Sequence, residues 1–191
     1  MALTDIDLCS KALIKIGANT IASFDEETKE AEVAGILYEH VKNTILSSSN
    51  WGFAVSDVEL AQLVDAPIDR NYSKQYAIPT DWLNTVNIYN EAGTGIAYAA
   101  QGGVILTNTN RAFMKYVADV SIARMPNWFV EYLIAQLAFE FCEPIRGDGS
   151  LAQRMKAKAD ESRRIAYKMD SRENVVDSAI TPSIFTIIRS Q

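Results

Sequence analysis

The sequence predicts an α+β protein: an antiparallel α-helical bundle carrying an inserted small antiparallel β-sheet, with an extended C-terminal arm. Three observations carry this expectation. Helical periodicity fills residues 1–50 and returns over 124–173. Between them, residues 51–123 break into short apolar segments separated by Gly, Asn and Pro, the pattern of strands and turns. Beyond residue 173 the helical period stops, and 174–191 contain a helix-hostile Pro182 followed by the β-prone run "SIFTII".

Taken in order, Thr4 is a good N-cap with Asp7 three residues on, a capping-box pattern. Ile6, Cys9, Leu13 and Ile16 keep helical spacing, and Gly17 supplies the stop. "ANTIASFDEETKE" turns the chain, and Asp25, Glu26 and Glu27 are expected to crowd the start of a second helix, where the positive dipole end favours them. Ala34, Leu37, Tyr38, Val41 and Ile45 form its apolar stripe, so the first two helices read as an antiparallel hairpin. That helix runs into "SSSNWGF", a polar stop followed at once by Trp51 and Phe53.

The strand candidates are "QYAI", "NTVNIY", "GIAYA", "GVILT" and "FMKYVADV", with "GIAYAAQGGVILT" reading as a hairpin. "MPNWFVEYLIAQLAFEFCEPI" then begins and ends at prolines, Pro126 suiting a first helical turn and Pro144 a terminus. Its polar strip is limited to Asn127, Glu131 and Glu140, which predicts a central, buried helix. Ser150 with Gln153 reads as a second capping box, opening a last helix that turns Leu151, Met155, Ala159, Ala166 and Met169 inward. The apolar segment at the end has no obvious partner. It is either a last sheet strand or, the preferred reading, an arm that docks on another protein by strand addition.

Composition narrows the function. Apolar residues are 48% and charged residues 22% of 191, which fits one folded domain, and no apolar run reaches the roughly 18 residues of a membrane span. Asp5 and Asp7 stand where a signal peptide carries basic residues, so a cytosol-like compartment is expected. Cys9 and Cys142 each lie in an apolar helical pattern and read as small buried hydrophobes. With His40 the only histidine, neither a zinc site nor a Ser/His/Asp set is expected, and no cofactor is implied. The net charge of −6 is unevenly spread: residues 1–66 hold 4 bases and 11 acids, while 150–173 hold 7 bases and 4 acids. Such a bipolar chain fits either two solvated helix faces or a head-to-tail contact between copies, the acidic end of one meeting the basic end of the next.

Several motifs dissolve on inspection. Gly93–Gly95 is not followed by a helix pattern, so it reads as a turn rather than a nucleotide loop. Arg146-Gly147-Asp148 is a break between helices, and the sequon Asn71-Tyr72-Ser73 is idle without secretion. Glu131 and Glu140 share one helix face and read as its solvent strip rather than an acid/base pair. The bases Arg154, Lys156, Lys158, Arg163, Arg164, Lys168 and Arg172 invite comparison with a phosphate-binding helix. Asp160 and Glu161 are placed to pair with Arg164, however, and the whole chain is acidic, which argues against tight nucleic-acid binding.

Read together, several stretches resemble the tail tubular protein A family, the head-to-tail adaptor (connector) proteins of short-tailed phages. They are "LCSKALIKIGANTIASFDEETKEA", "LYEHVKNTILSSSNWGFA" with its Trp-x-Phe-Ala ending, "YAIPTDWL", "GGVILTN" before "KYVADV", and the Met-Pro-x-x-Phe start of "MPNWFVEYLIAQLAFEFCEPIRGDG". Each piece is a short structural signature; their order and spacing over most of the chain carry the likeness, which fades after Glu173.

The resemblance implies a virion structural protein with no catalytic residues. It would form a dodecameric ring beneath the portal protein, receive the tail nozzle below, and let the genome pass without gripping it. It would be assembled in the host cytoplasm and would have no membrane partner. On this expectation the subunit contact would use Arg154, Lys158, Arg163 and Arg164 on one side and Glu27 and Glu30 on the other. The arm would hold the portal through Pro182, Ile184, Phe185, Ile187 and Ile188. Two other classes stay open at the level of sequence: a virion-associated glycan hydrolase, and a stand-alone helical binding module.

Overall fold

A computed structural model describes residues 3–173. At its centre is α3 (Asn127–Phe141), whose Phe129, Val130, Tyr132, Leu133, Ile134, Ala135, Leu137, Ala138 and Phe141 are all buried. A helix apolar around most of its circumference must be covered on several sides. Three helices do so: α1 (Asp5–Lys15), α2 (Lys29–Ser47) and α4 (Gly149–Glu173). α1 and α2 pack chiefly on α3 and only slightly on each other. The expected hairpin is thus held together through a third helix.

Local signals set the helix ends. The capping box of α1 forms as expected: Asp7 accepts from the Thr4 N–H at 2.9 Å and from its hydroxyl at 2.7 Å, and the Asp7 N–H donates to Thr4 Oγ1 at 3.1 Å. Gly17 ends the helix with φ at 71°, a left-handed conformation that suits glycine. The start of α2 differs from expectation. Asp25, Glu26 and Glu27 lie in the preceding turn, where Glu26 accepts from the N–H groups of Ala22 and Ser23. Thr28 caps the helix, accepting from the Ala31 N–H at 3.2 Å, and Glu30 and Glu32 occupy the first turn. Glu26 belongs to the turn because its carboxylate there reaches two free backbone donors at once.

The end of α3 and the start of α4 also shift. Pro144 has no N–H to donate, and the chain leaves α geometry at Cys142 for one wider π-type turn through Arg146. Gly147 (φ 62°) closes it, its N–H donating to the carbonyls of Cys142 and Glu143. Asp148, not Ser150, caps α4: its carboxylate accepts from the N–H groups of Ser150 and Leu151 and from the Ser150 hydroxyl. Those bonds hold the Asp148 carboxyl below the ordinary carboxylate range.

The insertion forms two antiparallel three-stranded sheets rather than one. In the first, β6 (Phe113–Ala118) lies between β1 (Val55–Glu59) and β3 (Trp82–Tyr89). In the second, β5 (Val104–Thr107) lies between β2 (Lys74–Ala77) and β4 (Tyr98–Gln101). The β4–β5 hairpin is the expected one, with Gln101 opposite Val104 across Gly102-Gly103, both at positive φ. Ile88, Ile105, Met114 and Tyr76 join the same continuous core as the helices, and α2 touches both β3 and β6. None of the helices is long and apolar enough to cross a membrane, among the described residues.

Candidate functional site

Where bundle and insertion meet, five aromatic side chains converge on Trp51. The indole is fully buried and donates its Nε1–H to the Ile45 carbonyl at 2.9 Å. The same carbonyl, in the last turn of α2, also accepts from the Ser48 N–H at 3.2 Å and the Ser48 hydroxyl at 2.7 Å. Tyr167 of α4 stacks on it with ring centres 4.8 Å apart, and Phe129 of α3 meets it edge-on at 5.2 Å. Trp128, Tyr132 and Phe53 complete the group, Phe53 lying 4.7 Å from Phe129. Asp170 accepts from the Gly52 N–H at 2.9 Å, and the Trp128 indole donates to Glu173 at 3.0 Å. One short segment therefore fastens α2, α3 and α4 together at the point where the chain enters the insertion.

A second junction closes the insertion's exit. Lys42 of α2 is buried, with its ammonium 2.8 Å from Glu39 and 3.1 Å from Asp119, just after β6. Burial opposes its charge, but the hydrogen bonds and charges of Glu39 and Asp119 outweigh it and raise its pKa. Beside it the Tyr38 hydroxyl donates to Asp5 at 2.7 Å. Sequence periodicity did not single out Lys42. The signal available was a cation next to Val41 and one helical turn on from Tyr38, inside an apolar stripe.

The residues expected at a subunit contact fall on different sides of the bundle. Arg163 faces a cleft of about 250 Å³ between α2 and α4, floored by Tyr132 and Gln136 of α3, and pairs with Asp160 at 3.0 Å. Asp160 thus takes Arg163 rather than Arg164. Lys158 lies on the other side of α4, in a depression with Lys15, Ala135 and Met155. Arg154 and Arg164 are exposed. Glu27 is exposed in the turn before α2, while Glu30 is half-buried and accepts from Asn19 Nδ2 at 3.4 Å. Pro182, Ile184, Phe185, Ile187 and Ile188 lie outside the described residues.

Chemistry-bearing groups elsewhere are tied up in the fold. Cys9 and Cys142 are buried free thiols, as expected, and burial with the Asp5 charge pushes Cys9 up to about 12. On the open face of the first sheet Arg111 bonds both Glu59 and Glu91, and Tyr89 donates to Asp57 at 2.9 Å. Asp7 and Glu59, like Asp148, are held low by their hydrogen bonds, the direction opposite to that of a general acid. Among the described residues no cluster of three or more His, Cys, Asp or Glu is placed to hold a metal ion. Neither a protein-family model nor a curated protein matches the chain.

Proposed function

We propose that this chain is a virion structural protein: the head-to-tail adaptor of a tailed phage, forming a ring that joins the portal to the tail. The reading rests on the ordered resemblance described above, chiefly "LSSSNWGFA" followed by "MPNWFVEYL". The physical role of those two segments supports it. Trp51 and Phe53 from the first meet Trp128, Phe129 and Tyr132 from the second in one aromatic junction. The resemblance therefore falls on residues that set the angle between bundle and insertion, which is what a part working by shape must hold constant.

In this role the protein makes and breaks no bonds. Copies contact one another through faces of opposite charge, exposed bases of α4 such as Arg154 and Lys158 meeting acids of α2; Arg163, turned into the cleft and paired with Asp160, lies off that face. The apolar C-terminal segment, with Pro182, Ile184, Phe185, Ile187 and Ile188, attaches the ring to the portal. The genome passes through a lumen whose overall acidity discourages adhesion. The tail nozzle binds the opposite rim.

Co-purification with the portal protein of the same phage tests the reading. Full-length chain retains the portal, and a chain lacking Pro182–Gln191 loses it while its far-ultraviolet circular dichroism is unchanged. Equal retention by both forms discards the arm, and retention by neither discards the adaptor role.

A further inference from the structure

Of three helical isoleucines that stand out in water, Ile14 of α1 is 60% exposed, and the other two, Ile36 of α2 and Ile165 of α4, are 68% and 50% exposed. The surroundings of these two carry opposite charge. Ile36 has Glu32 four residues before it and Glu39 three residues after, on a helix face shared with His40 and, two turns back, Lys29, so the face is acidic by one charge. Ile165 belongs to the stripe Arg154, Lys158, Glu161, Ile165, Lys168 and Arg172, spaced alternately by four and three residues and so also on one face. Glu161 is its one acid, and none of its four cations forms an ion pair among the described residues.

The two faces lie on different sides of the helices. Leu37, His40, Val41, Thr44 and Ser48 of α2 look across the α3 floor towards Arg163 of α4, so the Ile36 face borders that cleft. Lys158, on the basic stripe, lies on the side of α4 that meets Lys15 of α1. Glu39, on the acidic face, reaches Lys42 beside Asp119 and remains half exposed. One flank of the bundle is therefore acidic around an isoleucine, and a different flank is basic around another.

We propose that the α4 flank of one copy docks on the α2 flank of the next, with Ile165 and Ile36 as apolar anchors ringed by ion pairs from Lys158, Lys168 and Arg172 to Glu32 and Glu39. The proposal rests on the ring reading above and names the surfaces that would build it. Because the two patches differ and lie on different sides, the contact is heterologous: each copy keeps one free flank, as a closed ring requires. Charge complementarity selects this partner, since two basic or two acidic flanks repel. The contact is also small. α2 has 19 residues and is about 28 Å long, so a stripe about 10 Å wide covers roughly 280 Å² per partner, against about 800 Å² for a stable interface. A single pair is therefore short-lived, and ring closure or a template holds the contact.

Cross-linking captures a short-lived contact. Ile36→Cys and Ile165→Cys are prepared as separate proteins and treated with a short bismaleimide, alone and mixed. Both positions are exposed, and the native Cys9 and Cys142 are buried, so wild-type protein gives the background. The expected result is a cross-linked dimer in the mixture and none in either protein alone, with the yield lost as salt rises or when Lys158→Glu and Lys168→Glu are added to the Ile165→Cys protein. Dimers in each protein alone, or no dimer in the mixture, overturn the proposal. If portal co-purification succeeds and the mixture stays uncross-linked, only the assignment of flanks is wrong. If cross-linking succeeds and co-purification fails, the flank contact stands and the adaptor role falls.

Discussion

Replacing Trp51 by alanine empties a fully buried indole site and removes one of three donors to the Ile45 carbonyl, Ser48 keeping the other two. Loss of a buried aromatic of this size costs roughly 3–5 kcal/mol. Urea unfolding is expected to show that loss, and Trp51→Phe should recover part of the packing but not the hydrogen bond. A near-neutral Trp51→Ala would mean that the junction does not hold the three helices. Lys42 gives a prediction about pH. Its folded pKa lies above the ordinary 10.5, so its contribution is whole below that value and is lost as pH rises through the folded one. Tyr38 acts in the same window: burial first, then its bond to Asp5, keep the phenol protonated above its ordinary 10.0, where an unfolded chain ionises. Stability should therefore fall from about pH 10 upward. Lys42→Met should lower stability at neutral pH by about 1–3 kcal/mol and flatten the alkaline fall. An alkaline slope unchanged in Lys42→Met would remove Lys42 from that account.

At the scale of single elements, Thr28 rather than the acidic turn before it determines where α2 starts. Thr28→Ala should cost about 1 kcal/mol in urea unfolding, as for other lost N-caps, whereas Glu27→Gln should change stability little. The reverse order would restore the acidic turn as the helix start. The helices were legible because their signals are local: Thr4 with Asp7, Gly17, and the apolar periodicity of α3 are complete within a few residues. β1 was not legible, since "VSDVE" exposes Asp57, Val58 and Glu59 and shows no apolar alternation. Its pairing with β6 bridges some 60 residues of sequence, Val55 lying opposite Val117. The division into two sheets is likewise a matter of which strands meet, β1 with β6 and β2 with β5, and short apolar runs do not encode partners. Within the candidate site, the aromatic pair after the polar helix stop was visible, but its partners were not: Tyr167 stacks on Trp51 from 116 residues away in the sequence. Nor did composition separate Arg163, turned into a cleft and paired, from Lys158 on the opposite side of the same helix.

For the molecule as a whole, the bipolar charge seen in the sequence becomes a property of shape. Acidic groups gather around the turn before α2 and along that helix, and bases line α4, with α3 between. In a particle assembled from such units, raising ionic strength weakens exposed contacts between copies while the continuous apolar core inside each copy is untouched. Assembly should therefore dissociate with salt before any copy unfolds, which light scattering and circular dichroism followed on one sample would resolve. Simultaneous loss of both signals would contradict a polar contact between rigid units.

The central claim is that copies of this chain assemble on a capsid vertex and work there by shape alone. Electron microscopy of the purified protein mixed with the portal protein of the same phage tests that most directly. The account predicts a second ring, sharing the portal's axis and present only when this protein is added. Bare portal rings beside unassembled protein, at concentrations where both are folded, would contradict it.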